Sequence, residues 1–243
     1  MFYRKAFDIE PMTSHPKSRS TESFYGRRKG QQLRGRKQRL MDDLLPQLVL
    51  DPNNPKPNSL DEIFGSKGSA IHLEIGFGGG EHLTQQACSH PDVNFIGVEP
   101  FINGMAKMLG AIDDHGLKNV RLYDDDATRL LDWLPDESLD QVDLLYPDPW
   151  PKKRHWKRRF VSQVNIARFH RVLKPGCKFR FASDIDTYVN WTLNHIHQQG
   201  GFNWLAESAN DWRTPWEGWS RTRYEAKAIR EGRPPCYLMF EKI

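Results

Sequence analysis

The stretch Leu73-Glu74-Ile75-Gly76-Phe77-Gly78-Gly79-Gly80 decides how this chain is read. An apolar run, Ala70-Ile71-His72-Leu73, enters it, and a segment of helical character, Gly80-Glu81-His82-Leu83-Thr84-Gln85-Gln86-Ala87, leaves it. Strand, glycine turn and helix open a nucleotide-binding βα unit, because glycine turns tightly and lets a ligand approach the amides of the helix N-terminus. Two details turn the reading away from a dinucleotide. The glycines stand at 76, 78 and 80, as Gly-x-Gly-x-Gly and not Gly-x-Gly-x-x-Gly. An acid, Glu74, also occupies the strand end, where it repels a pyrophosphate but can hold a cation. S-adenosylmethionine carries an ammonium and a sulfonium and no phosphate, so it suits an acidic glycine-rich turn.

Outward from this turn the pattern alternates. Strands are expected at 70–75, 94–98, 119–123, 141–146 and 177–182, with helices at 80–89, 102–114, 127–134, 158–173 and 186–198. Two further strands, 202–208 and 236–242, flank a long loop rich in Trp and Arg. Apolar strands alternating with amphipathic helices predict an α/β fold: a mostly parallel seven-stranded sheet with helices on both faces. This core is expected over residues 65–243. Before it, 1–23 reads as a flexible arm, and 24–64 as a basic extension ending in a proline-rich linker, Asp51 to Asn58. Within the extension a short helix at Gln38–Leu45 is expected to stop at Pro46.

Composition excludes several classes. No apolar run approaches a membrane span, and the N-terminus lacks the apolar stretch of a signal peptide. Three dispersed cysteines, Cys88, Cys177 and Cys236, fit a reducing cytoplasm with the thiols as small buried side chains. No metal is expected, since His195 and His197 diverge on a helix. The net charge of +4 is modest, but it is concentrated. Gly26 to Arg39 holds seven Arg or Lys in fourteen residues, and Lys152 to Arg159 six in eight, the footprint of a polyanion such as nucleic acid.

Ligands of open α/β sheets bind beyond the carboxyl ends of the strands, and here those ends carry acids. The first has Glu74 with Gly76, Gly78 and Gly80. The second has Glu99, nineteen residues after Gly80, placed to accept from ribose hydroxyls. The third has Asp126, which can face an adenine amino group, while Asp124 or Asp125 can cap the next helix. The fourth is Tyr146-Pro147-Asp148-Pro149-Trp150-Pro151, and the fifth ends in Ser183-Asp184. Acids at five successive strand ends exceed what helix capping requires and suit a cofactor bearing positive charge. Pro147 and Pro149 stiffen the backbone around Asp148, Trp150 offers a face to a base, and the cationic run follows at once. Trp156 within that run is either a stacking platform or a hydrophobic anchor.

The motifs Glu-Ile-Gly-Phe-Gly-x-Gly, Pro-Asp-Pro-Trp-Pro-Lys-Lys-Arg-His-x-Lys-Arg-Arg and Thr222-Arg223-Tyr224-Glu225 resemble those of bacterial tRNA (guanine-N7)-methyltransferases. The resemblance covers roughly residues 24–243; the arm 1–23 matches nothing in the family. It implies a Rossmann-like class I methyltransferase fold and methyl transfer from S-adenosylmethionine to N7 of the variable-loop guanine, tRNA position 46. It implies cofactor contacts at Glu74, Glu99, Asp126 and Asp148, with Asp148 the catalytic residue. It further implies substrate contacts at Lys152, Asp184 and Thr222, Arg223, Tyr224 and Glu225, and RNA binding by Arg154, His155, Trp156, Lys157, Arg158 and Arg159. A monomer without an obligatory protein partner is expected. Three other readings compete. The first is an exocyclic-amine methyltransferase, which the Lys-Lys-Arg-His run disfavours. The second is a non-catalytic RNA-binding module, which the full set of strand-end acids disfavours. The third is a dehydrogenase, which the glycine spacing and Glu74 disfavour.

Overall fold

The computed structural model describes residues 25–243, so the arm expected at 1–23 lies outside the described residues. The sheet strands are β1 (Ile71–Ile75), β2 (Asn94–Val98), β3 (Val120–Tyr123), β4 (Leu139–Leu145), β5 (Leu173–Ser183), β6 (Phe202–Trp204) and β7 (Cys236–Lys242). Their spatial order is β3-β2-β1-β4-β5-β7-β6. The first five are parallel, and β7 runs antiparallel to both β5 and β6.

Alternation along the strands sends side chains to two cores. Phe95 and Leu122 pack with Leu83, Met105, Met108 and Leu109 of α4 (Glu81–Ser89) and α5 (Ile102–His115). Ile96, Val98 and Tyr123 point the other way. They join Leu130 of α6 (Ala127–Trp133), Phe169 of α7 (Gln163–Val172) and Tyr188 of α8 (Asp186–Gln199). Burial of this apolar surface on both faces is the main force holding the sheet. Among the described residues, no helix is long and apolar enough to cross a membrane.

Four expectations need correction. The helix expected at 158–173 begins only at Gln163, because Ser162 is extended and its hydroxyl caps Asn165 N. The preceding Lys153–Arg158 forms a separate 3-10 turn. Pro46 does not stop a helix: α1 (Arg36–Asp43) ends before it, and Pro46 sits in the first turn of α2 (Leu45–Leu48), where a missing N–H costs nothing. The strand expected at 202–208 ends at Trp204. The long loop before β7 holds two short helices, here α9 (Ala209–Arg213) and α10 (Arg223–Arg230), after a single turn α3 (Asp61–Phe64) earlier in the chain. Of the cysteines only Cys236 is buried, and Cys88 is exposed.

The order of the strands positions the site. Connections turn one way from β1 to β2 and β3, and the other way to β4 and β5. A crevice therefore opens beyond the carboxyl ends of β1 and β4, where ligands of such sheets bind.

Candidate active site

The glycine turn leaves β1 with Gly76, Gly78 and Gly80 all at positive φ (75°, 60° and 81°), which L side chains rarely adopt. This is the physical content of the alternating spacing. Glu99 locks the turn from β2: one oxygen accepts from Gly78 N at 2.7 Å and the other from Phe101 N at 2.8 Å. A Cβ on Gly104 would lie 2.2 Å from the Gly78 carbonyl oxygen, so α5 packs directly against the turn. From the far end of the chain, Arg223 and Tyr224 come over the same glycine; a Cβ on Gly78 would sit 3.3 Å from each. The polar side chains of this cradle are Glu99 and, from the start of α10, Arg223 and Tyr224. Glu99 is placed at this turn to accept hydrogen bonds from the hydroxyls of a sugar.

Beyond β4 the loop is held in an uncommon backbone. Tyr146 and Trp150, on either side of Pro147-Asp148-Pro149, take φ of 49° and 43°. Left-handed backbone at two aromatic residues is costly and clusters at functional sites. Asp148 opens to solvent at the mouth of the crevice. The walls on either side still desolvate it enough to raise its carboxyl above the ordinary aspartate range. Its charge reaches Glu99, whose own pKa is raised chiefly by burial and then by Asp148, against the two backbone amides and Arg223. Glu99, Asp148, Arg223, Tyr224 and the glycines thus converge. Asp126 stands nearby at the end of β3, but its Oδ1 is spent on Thr128 N and Oγ1 as the N-cap of α6. The cap assigned to Asp124 or Asp125 is therefore made by Asp126, while Asp125 pairs with Arg28 at 2.6 Å.

Other expected site residues are occupied differently. Glu225 is 2% exposed, accepting from Trp219 Nε1 at 2.7 Å and from the Tyr237 hydroxyl. Thr222 caps α10 through Glu225 N. Both residues anchor the segment that delivers Arg223 and Tyr224, and neither side chain faces the crevice as a free group. Asp184 accepts from Arg233 Nε at 2.6 Å. In the cationic run, Lys152, Lys153, Arg154 and Lys157 are exposed and His155 is half-buried. The His155 pKa is lowered by desolvation and then by the neighbouring cations Arg158, Arg154, Lys152 and Lys157.

Arg159 departs from the expected RNA contact. It is 3% exposed and turned inward, donating to Pro149 O (2.9 Å), Thr187 O (2.8 Å) and Thr187 Oγ1 (3.0 Å). Trp156 is half-buried and lies against Arg159 and Trp191. Together they brace the Asp148 loop from behind.

The sequence did not reveal the segment 25–31. It lies across the crevice rim: Tyr25 edges Trp150 (6.2 Å), Arg27 covers Phe101 (5.6 Å), and Arg28 O accepts from Ile102 N (3.0 Å). Asn103 Nδ2 donates to Gln31 O (2.8 Å). A Cβ on Gly30 would meet Asn103 Oδ1 at 2.3 Å. A glycine at a close approach was the one signal available.

A Rossmann-like sheet whose switch point holds a glycine turn ringed by acids defines a class I methyltransferase fold. Solved structures agree on the fold. The 16S rRNA methyltransferase KamB superposes with a TM-score of 0.55 at 16% identity, covering 78% of this chain and 96% of that one. The antibiotic-resistance methyltransferase Kmr gives 0.50 at 17% identity, covering 75% and 91%. The family model described as "Putative methyltransferase" matches residues 68–238. Curated relatives named tRNA (guanine-N(7)-)-methyltransferase include one from Agrobacterium fabrum, 61% identical over 94% of this chain and 99% of its own. Another, from Rhizobium meliloti, is 58% identical over 95% of this chain and 100% of its own. The chain belongs to the tRNA (guanine-N7)-methyltransferase family.

Proposed function

We infer that this protein methylates N7 of a guanine in tRNA, the variable-loop guanine at position 46, with S-adenosylmethionine as donor. The observation that carries the reading is a juxtaposition. Asp148 shares the switch-point crevice with Glu99 and the glycine turn, and a cationic run with no carboxylate partner among the described residues begins four residues later at Lys152. Glu74, Glu99 and Asp126 hold the cofactor, together with Gly76, Gly78 and Gly80. When bound, S-adenosylmethionine supplies an electrophilic methyl on a cationic sulfur.

Guanine N7 carries a lone pair and no proton, so no side chain has to remove one. The protein's work is positioning, worth roughly 7–11 kcal/mol in good cases. As the N7–methyl bond forms, the imidazole ring of guanine gains positive charge, and the Asp148 carboxylate stabilises it. Asp184, whose Oδ2 is held by Arg233, offers Oδ1 to the N1–H and 2-amino edge that separates guanine from adenine. Lys152, Arg154, Lys157 and Arg158 take the phosphates, with His155 beside them. The reaction is cytoplasmic and needs no partner subunit.

The test is direct. The protein is incubated with labelled S-adenosylmethionine and unmodified tRNA, the RNA is digested, and the labelled nucleoside is identified. 7-Methylguanosine from the variable loop is expected. Label on an exocyclic amine would overturn the reading.

A further inference from the structure

Beneath the crevice, three strands present charge on one face of the sheet. Glu74 of β1 stands in register with Asp143 of β4, and Asp143 in register with Arg180 of β5. All three are buried. Arg180 meets Asp143 through two bonds, Nε–Oδ1 at 2.7 Å and a terminal nitrogen to Oδ2 at 2.6 Å. The guanidinium of Arg180 is thus committed to Asp143 and not to the adjacent Glu74. Glu74 has another partner: His82, from the first turn of α4, places Nδ1 2.8 Å from Glu74 Oε2.

His82 is itself 3% exposed, and its Nε2 is buried with no hydrogen-bond partner. Trp219 lies over the imidazole with ring centroids 5.2 Å apart, and its indole N–H is tied to Glu225. The charged groups facing His82 are therefore Glu74 on β1, Asp143 on β4 and Arg180 on β5, with Glu225 behind Trp219. Counting Glu74, Asp143 and Arg180, a neutral His82 leaves one negative charge in excess, and a protonated His82 balances the three. Burying an unbalanced charge is costly, and an indole face favours a cation.

We propose that His82 is the built-in counter-ion of Glu74, a positioning residue that holds a proton on Nε2 in the free protein and releases it to solvent when the cofactor's cationic end reaches Glu74. The proposal rests on the reading of Glu74 as a cofactor contact. Burial opposes the charge on His82, but the Glu74 carboxylate and its hydrogen bond, then Asp143, outweigh it and raise the pKa above the ordinary histidine value. The Nδ1–H stays on Glu74 in both states, so only Nε2 changes. That atom has no hydrogen-bond partner to fix its proton, so the charge beside Glu74 governs it, and a ligand cation there opposes protonation.

The test is calorimetric titration of the full-length protein with S-adenosylhomocysteine between pH 6 and 8.5 (roughly the range of a perturbed histidine), in two buffers of different ionisation enthalpy. His82→Asn keeps a neutral donor toward Glu74 and serves as the comparison. Wild type is expected to bind more tightly as pH rises, about tenfold for each unit by which the ligand lowers the His82 pKa. It should also release a fraction of a proton that His82→Asn does not. Equal pH dependence and equal proton counts in the two proteins would overturn the proposal. Should wild type fail to bind S-adenosylhomocysteine at every pH, the cofactor reading itself is what falls. If His82→Asn does not fold, long-range proton–nitrogen spectra of wild type decide. One histidine doubly protonated at neutral pH that loses its Nε2 proton on ligand addition supports the proposal, and no such histidine refutes it.

Discussion

Two cationic stretches of this chain have their charges partnered to different extents. Residues 26–39 and 152–159 are both dense in Arg and Lys. In the first, Arg28 is paired with Asp125, and Arg36 bridges Asp113 and Asp114. In the second, no described carboxylate pairs with Lys152, Lys153, Arg154, Lys157 or Arg158. Arg158 is held between the rings of Tyr25 (4.8 Å) and Trp150 (4.9 Å), and its Nε is buried without a partner. A cation already matched by an acid offers little new attraction to a phosphate; one held only by aromatic faces offers nearly all of its own. The difference teaches that counting cations locates a candidate RNA surface, and counting their partners says which part of it is available. The chain just before the first region also meets the second, at Tyr25 and Arg158, so the first region begins as a strap on the crevice rim.

The largest effect sets the reference. Asp148→Asn is expected to reduce methyl transfer about a hundred- to thousandfold, with tRNA affinity and thermal melt unchanged. The wild-type profile should carry a matching acid limb. Burial raises the Asp148 pKa, the ionised form is the active one, and turnover at saturation should fall as pH drops through a value above the ordinary aspartate range. A limb that persists in Asp148→Asn would assign it elsewhere.

Next comes the double replacement Arg154→Ala with Arg158→Ala. Misplacing N7 by about 1 Å can cost roughly a hundredfold, so turnover at saturating tRNA should fall by that order. A pure rise in KM would mean that the second cluster only binds.

Arg159→Ala should separate neighbours in sequence. It removes three buried hydrogen bonds and is expected to cost about 2–3 kcal/mol of stability. The melting temperature should drop by several degrees, and the salt dependence of tRNA binding should stay as in wild type. A changed salt slope with an unchanged melt would place Arg159 on the RNA after all.

The smallest effects belong to the strap. Arg28→Ala should weaken S-adenosylhomocysteine severalfold by loosening the rim, while altering the salt slope of tRNA binding by much less than the roughly 0.7–0.9 expected per lost phosphate contact. Lys29→Ala, which removes an exposed cation, should do the reverse. If the two variants behave alike, the contrast between spent and available cations fails.

What the sequence determined by itself was local or periodic. Alternating apolar runs specified the parallel sheet, because strands buried on both faces cannot be anything else. The spacing of Gly76, Gly78 and Gly80 specified a turn of alternating left-handed residues, because φ above zero is a property of single residues. The acids at 74, 99, 126 and 148 were legible as strand ends. Tertiary structure alone decided which polar groups are free. Arg158 and Arg159 are adjacent and chemically identical, yet one faces the rim and the other is buried behind the Asp148 loop. Glu225 belongs to a familiar motif, yet its carboxylate is consumed by Trp219 and Tyr237. His82 carries no signature in the sequence, because its partners Glu74, Asp143 and Arg180 are assembled only through strand register. Arg28 and Asp125 are 97 residues apart. Whether a charge is available depends on what lies within a few ångströms of it, and no local pattern in a chain records which distant residue folding brings there.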